Sequence, residues 1–410
     1  MTAALVVFLL TYAVIAGQKL PLLHLDRPSG AMAGAVLMVW CGVLTQEEAV
    51  RAIHFDTILL LLGMMILAGY LSEGAFFRWC AQRVVRLART PRGLLLGIVF
   101  VSGMLSALFV NDTICVMLTP LLLQVCDEAD LPPLPFLLAL ATAANVGSVA
   151  TLTGNPQNMI VGTHSAWSYG GFAVHMVPIA LGGLAIDWLY LRWHFRQVVD
   201  GKPFRTTAAA VVGVDRPLVA KGILVMLWVL AGFGAGHRLS GVAMAGATAM
   251  VLLARIPPAR VLSRVDWSLL LFFGGLFVVV EGLNRAGWGE AFFRAAAPLF
   301  GQTPGVQLAT LSGFTVVLSN VVSNVPLVLV AVPWIPRFAD PPTAWLALAA
   351  ASTFAGNLTL VGSVANLIVA ELAKTHVRMR FRDFLSVGVP VTLLTTGWAL
   401  AVLWTYQALG

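Results

Sequence analysis

Apolar runs long enough to cross a lipid bilayer recur along this chain, at 2–18, 28–44, 57–72, 171–191, 218–236, 240–254, 268–283 and 384–404. In helical form about 20 apolar residues traverse about 30 Å of hydrocarbon. Only helices and closed barrels cross it without stranding backbone polar groups. The chain is therefore expected to be an all-α polytopic membrane protein. Its 410 residues are 59% hydrophobic and 10% charged, too little polar surface to cover a water-soluble fold of this size.

The excess of 25 Lys and Arg over 18 Asp and Glu gives a net charge of +7. These cations gather in short loops, the pattern that orients spans, so nucleic acid is not an expected partner and the lipid bilayer is. The loop with Arg78, Arg83, Arg86, Arg89 and Arg92 is expected to be cytoplasmic, as are the loops around Arg192–Arg205, Arg255–Arg264 and Lys374–Arg382. The expected location is the inner (plasma) membrane of the cell, with many passes. The first apolar run lacks a basic leader and an A-x-A-like cleavage site, which reads as a retained span. Cys41, Cys80, Cys115 and Cys126 have no paired spacing, so free thiols and no metal cluster are expected.

The chain matches itself in three ordered blocks. ATAANVGSVATLTGNPQNMIV (141–161) lies over AAASTFAGNLTLVGSVANLIV (349–369), NDTICVMLTP (111–120) over NVPLVLVAVP (324–333), and AFFR (75–78) over AFFR (291–294). Two homologous halves follow, 1–193 and 218–410, joined by a cytoplasmic linker at 194–217. The arginine-rich loop follows the span at 57–72 in the first half, whereas the basic loop at 255–264 precedes the matching span at 268–283. That reversal predicts two inverted repeats, each of about five transmembrane helices plus a re-entrant helical hairpin, with broken helices at the midplane. Charge counting alone fits two full spans over 93–126 as well as a hairpin. The polar break and the paired repeats favour the hairpin.

Four stretches interrupt apolar sequence with Gly, Asn, Ser, Thr or Pro: FVNDT (109–113), VATLTGNPQN (149–158), SNVVSNVP (319–326) and FAGNLTLVGSVAN (354–366). Pro156 removes a backbone donor and disfavours helix at Asn155. A broken helix frees backbone groups that protein or a wet cavity must satisfy, and its ends can bind a polar solute or an ion. Close helix packing through small residues is the competing explanation. Asp112 is the sharpest single residue, because an ionised carboxylate near the bilayer centre costs at least about 2.5–3.5 kcal/mol unless a partner, water or a proton relieves it. It could serve as the coupling group or as a helix cap, and the matching position holds Val325. Asp56 and Asp266 read as helix caps, and Asp187 as a deeper acid reached by Arg192 or solvent. No GxxxxGK[ST] loop occurs, so no ATP hydrolysis by this chain is expected, which leaves a separate ATPase subunit as a conceivable partner. No nucleophile–base or metal-ligand arrangement suggests an enzyme, and no cofactor is expected.

At these motifs the chain resembles the ion transporter superfamily, in particular its arsenite efflux pump (ArsB-type) and citrate-transporter-like permease branch. TLTGNPQNMIVG, SNVVSNVP and NLTLVGSVANLI carry the resemblance, which extends over nearly the whole chain. It implies a site between hairpin tips and broken helices. Asn111, Asp112, Thr113, Thr153, Gly154 and Asn155 would come from the first half, and Ser323, Asn324, Thr359, Gly362 and Ser363 from the second. Dicarboxylate carriers of the superfamily look like Ser-Asn-Thr at both hairpins and use Na⁺, whereas arsenite pumps and Na⁺/H⁺ antiporters carry Asn-Asp. Asn111-Asp112 therefore favours proton-coupled efflux of arsenite or antimonite by alternating access, with Asp112 as the ion-coupling residue. The alternatives are Na⁺-coupled uptake of a di- or tricarboxylate or another anion, and Na⁺/H⁺ antiport. Relatives often pair through their scaffolds, which makes a homodimer an expected partner arrangement. Cys115, close to the hairpin tip, is read as packing.

Overall fold

The structure is a computed structural model that describes residues 1–17, 26–201 and 213–409. Much of the expected linker, residues 202–212, lies outside the described residues. All regular structure among the described residues is helical. In chain order the first helices are α1 (Thr2–Gly17), α2 (Arg27–Trp40), α3 (Gln46–Ala52), α4 (Phe55–Glu73), α5 (Phe76–Leu87), α6 (Pro91–Leu108) and α7 (Asn111–Glu128). Then come α8 (Leu134–Ser148), α9 (Pro156–His164), α10 (Tyr169–His194), α11 (Arg196–Val199), α12 (Arg216–Gly234), α13 (Leu239–Leu253) and α14 (Pro258–Leu262). The last seven are α15 (Trp267–Arg285), α16 (Trp288–Ala296), α17 (Pro304–Val322), α18 (Asn324–Ala331), α19 (Pro341–Ala355), α20 (Val364–Ala373) and α21 (Phe381–Leu409).

Each of the eight apolar runs is a helix. Among the described residues seven helices are long and apolar enough to cross a membrane: α4, α6, α10, α12, α15, α17 and α21. Their starts are written into the sequence as caps and N-terminal prolines. Thr90 accepts from the Gly93 amide ahead of Pro91, Asp215 accepts from Leu218 ahead of Pro217, and Asp266 accepts from Leu269 at 3.0 Å. Asp56 departs from its expected role. It lies inside the first turn of α4, and its carboxylate takes the Ser240 hydroxyl at 2.5 Å, tying α4 to α13.

Two helices form the centre. Pro135–Ser148 of α8 and Thr343–Ala355 of α19 are buried on every face, which suits helices that are apolar all round. Packing about them is reciprocal: α6 lies on α8 as α17 lies on α19, α7 meets α20 as α18 meets α9, and α10 crosses α21. The approach of α6 to α8 is close enough that a Cβ on Gly147 would stand 2.2 Å from the Gly103 Cα. Peripheral to this block, α4 packs on α13 and α15 on α2.

Candidate functional site

All four interruptions are breaks in helices. α6 ends at Leu108, Phe109 is extended (φ −123°, ψ 160°) and α7 restarts at Asn111. α8 unwinds after Ser148 and α9 restarts at Pro156, where a missing N–H is harmless. In the second half α17 stops at Val322, Ser323 turns at φ 69°, ψ 159°, and α18 begins at Asn324. α19 gives way after Ala355 to a single tight turn before α20 begins at Val364.

The freed carbonyls are served by matched side chains. Asn158 Nδ2 donates to the Ser148 and Thr151 carbonyls at 3.3 and 2.9 Å. Asn366 Nδ2 donates to the Gly356 and Thr359 carbonyls at 2.7 and 3.2 Å. The Thr151 hydroxyl donates to the Ala107 carbonyl at 2.5 Å, and the Thr359 hydroxyl to Asn320 Oδ1 at 2.8 Å. The Asn111 amide donates to the Gly154 carbonyl at 3.0 Å, so the first hairpin tip is joined directly to the first broken helix. Unwound backbone at this depth is thus satisfied by protein, as burial demands.

Between the tips and the breaks lies a cavity with about 40 Å³ for water centres, room for on the order of three waters. Asn111, Asp112, Ser323, Asn324, Gly362 and Ser363 line it, together with Pro156, Gln157, Phe272, Phe273, Val325 and Val364. The remaining expected residues stand behind this wall. Thr153 bonds the Thr151 and Tyr169 hydroxyls at 3.3 and 3.2 Å. Gly154 presses on the Ser148 carbonyl, and Asn155 bonds Ser148 Oγ and Thr353 Oγ1 at 2.8 and 3.1 Å. Thr359 holds Asn320, and Thr113 faces a second cavity. Phe272 and Phe273 carry no polar signal that would single them out within an apolar run, whereas Gln157 sits inside the quoted motif.

Asp112 is 7% exposed, and the backbone N–H of Ala365, in the first turn of α20, acts on its carboxyl. Ser363, the N-cap of α20, makes no capping bond itself because its hydroxyl donates to Asn145 Oδ1 at 3.1 Å. Asp112 of one half therefore stands at the N-terminus of a helix of the other. On the opposite side Asn155 caps its own helix, accepting from the Asn158 amide at 2.9 Å, and Val325 stands where a second acid would be redundant. The charges acting on Asp112 are Asp266 and Arg27, the latter a half-buried cation at the start of α2 that motif inspection does not find. A second cavity, of about 50 Å³, is lined by Asp112, Thr113, Met65, Met117, Arg264 and Asp266 among others. Asp112 is the one residue common to both cavities.

Behind the site runs a chain of amides that crosses between the halves. Asn111 Nδ2 donates to Asn145 Oδ1 at 2.8 Å, and Asn145 Nδ2 donates to Asn357 Oδ1 and Asn366 Oδ1 at 2.8 and 3.1 Å. Asn357 Nδ2 reaches the Thr142 carbonyl at 3.1 Å. Asn145 and Asn357 lie inside the quoted repeat blocks, but only packing between the halves reveals their role. Two carbonyl oxygens, Asn111 Oδ1 and Asn324 Oδ1, are buried and without a partner among the described residues. Asp187 is fully buried, with the Thr142 hydroxyl 3.0 Å from both carboxyl oxygens. Arg192 does not reach it and pairs with Asp200 at 3.5 Å.

Hairpin tips meeting unwound helices around a small cavity, inside a bundle of spans, define a secondary transporter. The chain belongs to the citrate transporter family (CitMHS), whose model matches residues 7–355. It is 32% identical over 447 aligned residues to the silicon efflux transporter LSI3 of Oryza sativa subsp. japonica, covering 92% of each chain. It is 27% identical to a Dictyostelium discoideum protein provisionally named transporter arsB, over 91% of this chain and 86% of that one. The fold is similar to that of the Alcanivorax borkumensis YdaH transporter, with a TM-score of 0.57 at 14% identity, covering 100% of this chain and 97% of the other. The protein is a multi-pass membrane transporter.

Proposed function

We propose that the protein exports a small neutral metalloid hydroxide, arsenite or antimonite, in exchange for protons across the inner membrane. The observation that carries this is the polar part of the cavity lining: amides, two hydroxyls and one carboxyl, with no Lys or Arg. A tricarboxylate, the solute in the family's description, would need cations at such a site and is several times larger than the few waters this cavity holds. Arsenous acid needs only hydrogen bonds. The silicon efflux relative agrees with this chemistry, since silicon in water is also a neutral hydroxide.

Coupling follows from the place of Asp112. Ionised, it favours the dipole at the N-terminus of α20; protonated, it no longer does. The two protonation states then differ by about 1 kcal/mol in how firmly α7 is tied to α20. Two inverted repeats, which the reciprocal packing supports, would let that tie gate access from one side and then the other.

The test is accumulation of arsenite in everted membrane vesicles under an imposed pH gradient, for the parent and for Asp112→Asn. Accumulation by the parent that Asp112→Asn abolishes is the expected result. Verified parent protein that accumulates no arsenite would overturn the efflux function, and Na⁺-dependent uptake of a carboxylate is then the reaction to assay.

A further inference from the structure

The amide chain fixes which face of Asn111 the solute meets. Backbone carbonyls only accept, so both hydrogens of Asn366 Nδ2 are committed to the Gly356 and Thr359 carbonyls, and Asn357 Nδ2 is committed to the Thr142 carbonyl. The Oδ1 atoms of Asn366 and Asn357 must then accept, and both receive Asn145 Nδ2. Asn145 Oδ1 is left to accept in turn, and it takes Asn111 Nδ2 and the Ser363 hydroxyl. Turning Asn111 over would set its Oδ1 against Asn145 Oδ1, acceptor against acceptor.

The groups this chain fixes at the cavity are acceptors, while Gln157, Ser323 and Asn324 Nδ2 of the same wall have no hydrogen-bond partner among the described residues and can donate. Asn111 Oδ1 and Asn324 Oδ1 are buried and unpaired, on residues of that wall that are 5% and 8% exposed. Ser363, its hydrogen committed to Asn145, offers the cavity only lone pairs. Buried acceptors of this kind call for a ligand that donates. A neutral hydroxide with several O–H groups supplies the missing hydrogens, and an oxyanion, with fewer O–H groups and a negative charge, meets these acceptors less favourably.

We infer that Asn145, which lies outside the cavity wall, is the positioning residue that makes this site select hydrogen-bond donors over anions. The inference rests on the neutral-hydroxide function proposed above and names the group that enforces it. Thr353, at the matching place in the other half, accepts from Asn155 and donates to Asn158, so a threonine can do both jobs.

The experiment measures transport of arsenite and, separately, of arsenate by parent, Asn145→Leu and Asn145→Thr in proteoliposomes at neutral pH. Asn145→Leu frees Asn111 and Ser363 to turn donors toward the cavity, and the arsenite-to-arsenate preference is expected to fall at least about tenfold, one hydrogen bond's worth. Asn145→Thr is expected to keep the preference within about threefold of the parent. A purely structural residue would lower both fluxes together and leave their ratio unchanged. An unchanged ratio in Asn145→Leu, with a parent that carries arsenite, overturns this inference and leaves the proposed function standing. A parent that carries neither solute overturns both. Asn145→Val, with methyls in place of both polar atoms, gives the same reading should the leucine variant not fold.

Discussion

Ser323 holds a backbone conformation, φ 69° and ψ 159°, that is open almost only to glycine. Keeping a side chain there costs about 1–3 kcal/mol, and such strain persists where surrounding structure imposes it. The matching tip residue, Val110, is relaxed at φ −59°, ψ 129°, so the strain belongs to one hairpin alone. Ser323→Gly is expected to raise the midpoint of thermal unfolding in detergent, with a net gain of about 1 kcal/mol after the extra chain entropy of glycine. Ser323→Ala should leave it unchanged. A lower midpoint for Ser323→Gly would mean that the hydroxyl, and not the backbone, is what the tip needs. Asp112 can be dissected in the same measurement, because asparagine keeps an oxygen beside the start of α20 and alanine does not. Asp112→Ala should lose about 1 kcal/mol, the interaction of the carboxyl with that N-terminus, and Asp112→Asn less. Equal losses would separate Asp112 from the start of α20. At this scale the sequence was readable wherever a polar group interrupts apolar surroundings: Asn111, Asp112 and Asn324 announce themselves by cost alone. Asn145 does not, since its partners Asn357 and Asn366 lie in the other half, and Asp187 was misjudged because nothing in the sequence says that Arg192 turns toward Asp200.

The breaks are elements in their own right, held by close backbone approach. A Cβ on Gly154 would lie 2.1 Å from the Ser148 carbonyl oxygen, which belongs to backbone and is itself bonded to Asn155 and Asn158. A Cβ on Gly362 would meet first a side-chain atom, Asn320 Oδ1, at 2.7 Å. Gly154→Ala is therefore expected to destabilise by about 2–3 kcal/mol and Gly362→Ala by about 1 kcal/mol, read as the shift in thermal unfolding. The reverse order would show that the second break is the more rigid. Hydropathy places the spans well, because a membrane rewards unbroken apolar length, and the interruptions fall at the motifs that carry Asn, Gly and Pro. It places α8 and α19 less well: each has 15 residues and is buried by its neighbours on all sides, so length and periodicity say little about where it ends.

Across the whole molecule the helices sort into two groups. α1–α4 and α12–α15 pack chiefly among themselves, as do α6–α10 and α17–α21. Away from the chain connections, the groups touch where α4 meets α7 and α9, where α15 meets α18, and where α10 meets α12. Both cavities lie on this seam. Phe272 and Phe273 of α15 face the hairpin tips across the first, and Met65, Arg264 and Asp266 face Asp112 and Thr113 across the second. A seam that holds both cavities, with little packing elsewhere, is where one rigid body can move against the other. His54 precedes α4 in one group and His164 ends α9 in the other, with ring centroids 4.9 Å apart. Replacing both by cysteine, in a protein stripped of the exposed Cys41 and the half-buried Cys80, gives a pair that a short reducible cross-linker can bridge. Cross-linking is expected to stop transport and reduction to restore it, while each single cysteine variant stays active. Transport at the parent rate in the cross-linked protein would show that α4 and α9 travel together, and would move the sliding surface to the contacts of α15 with α18.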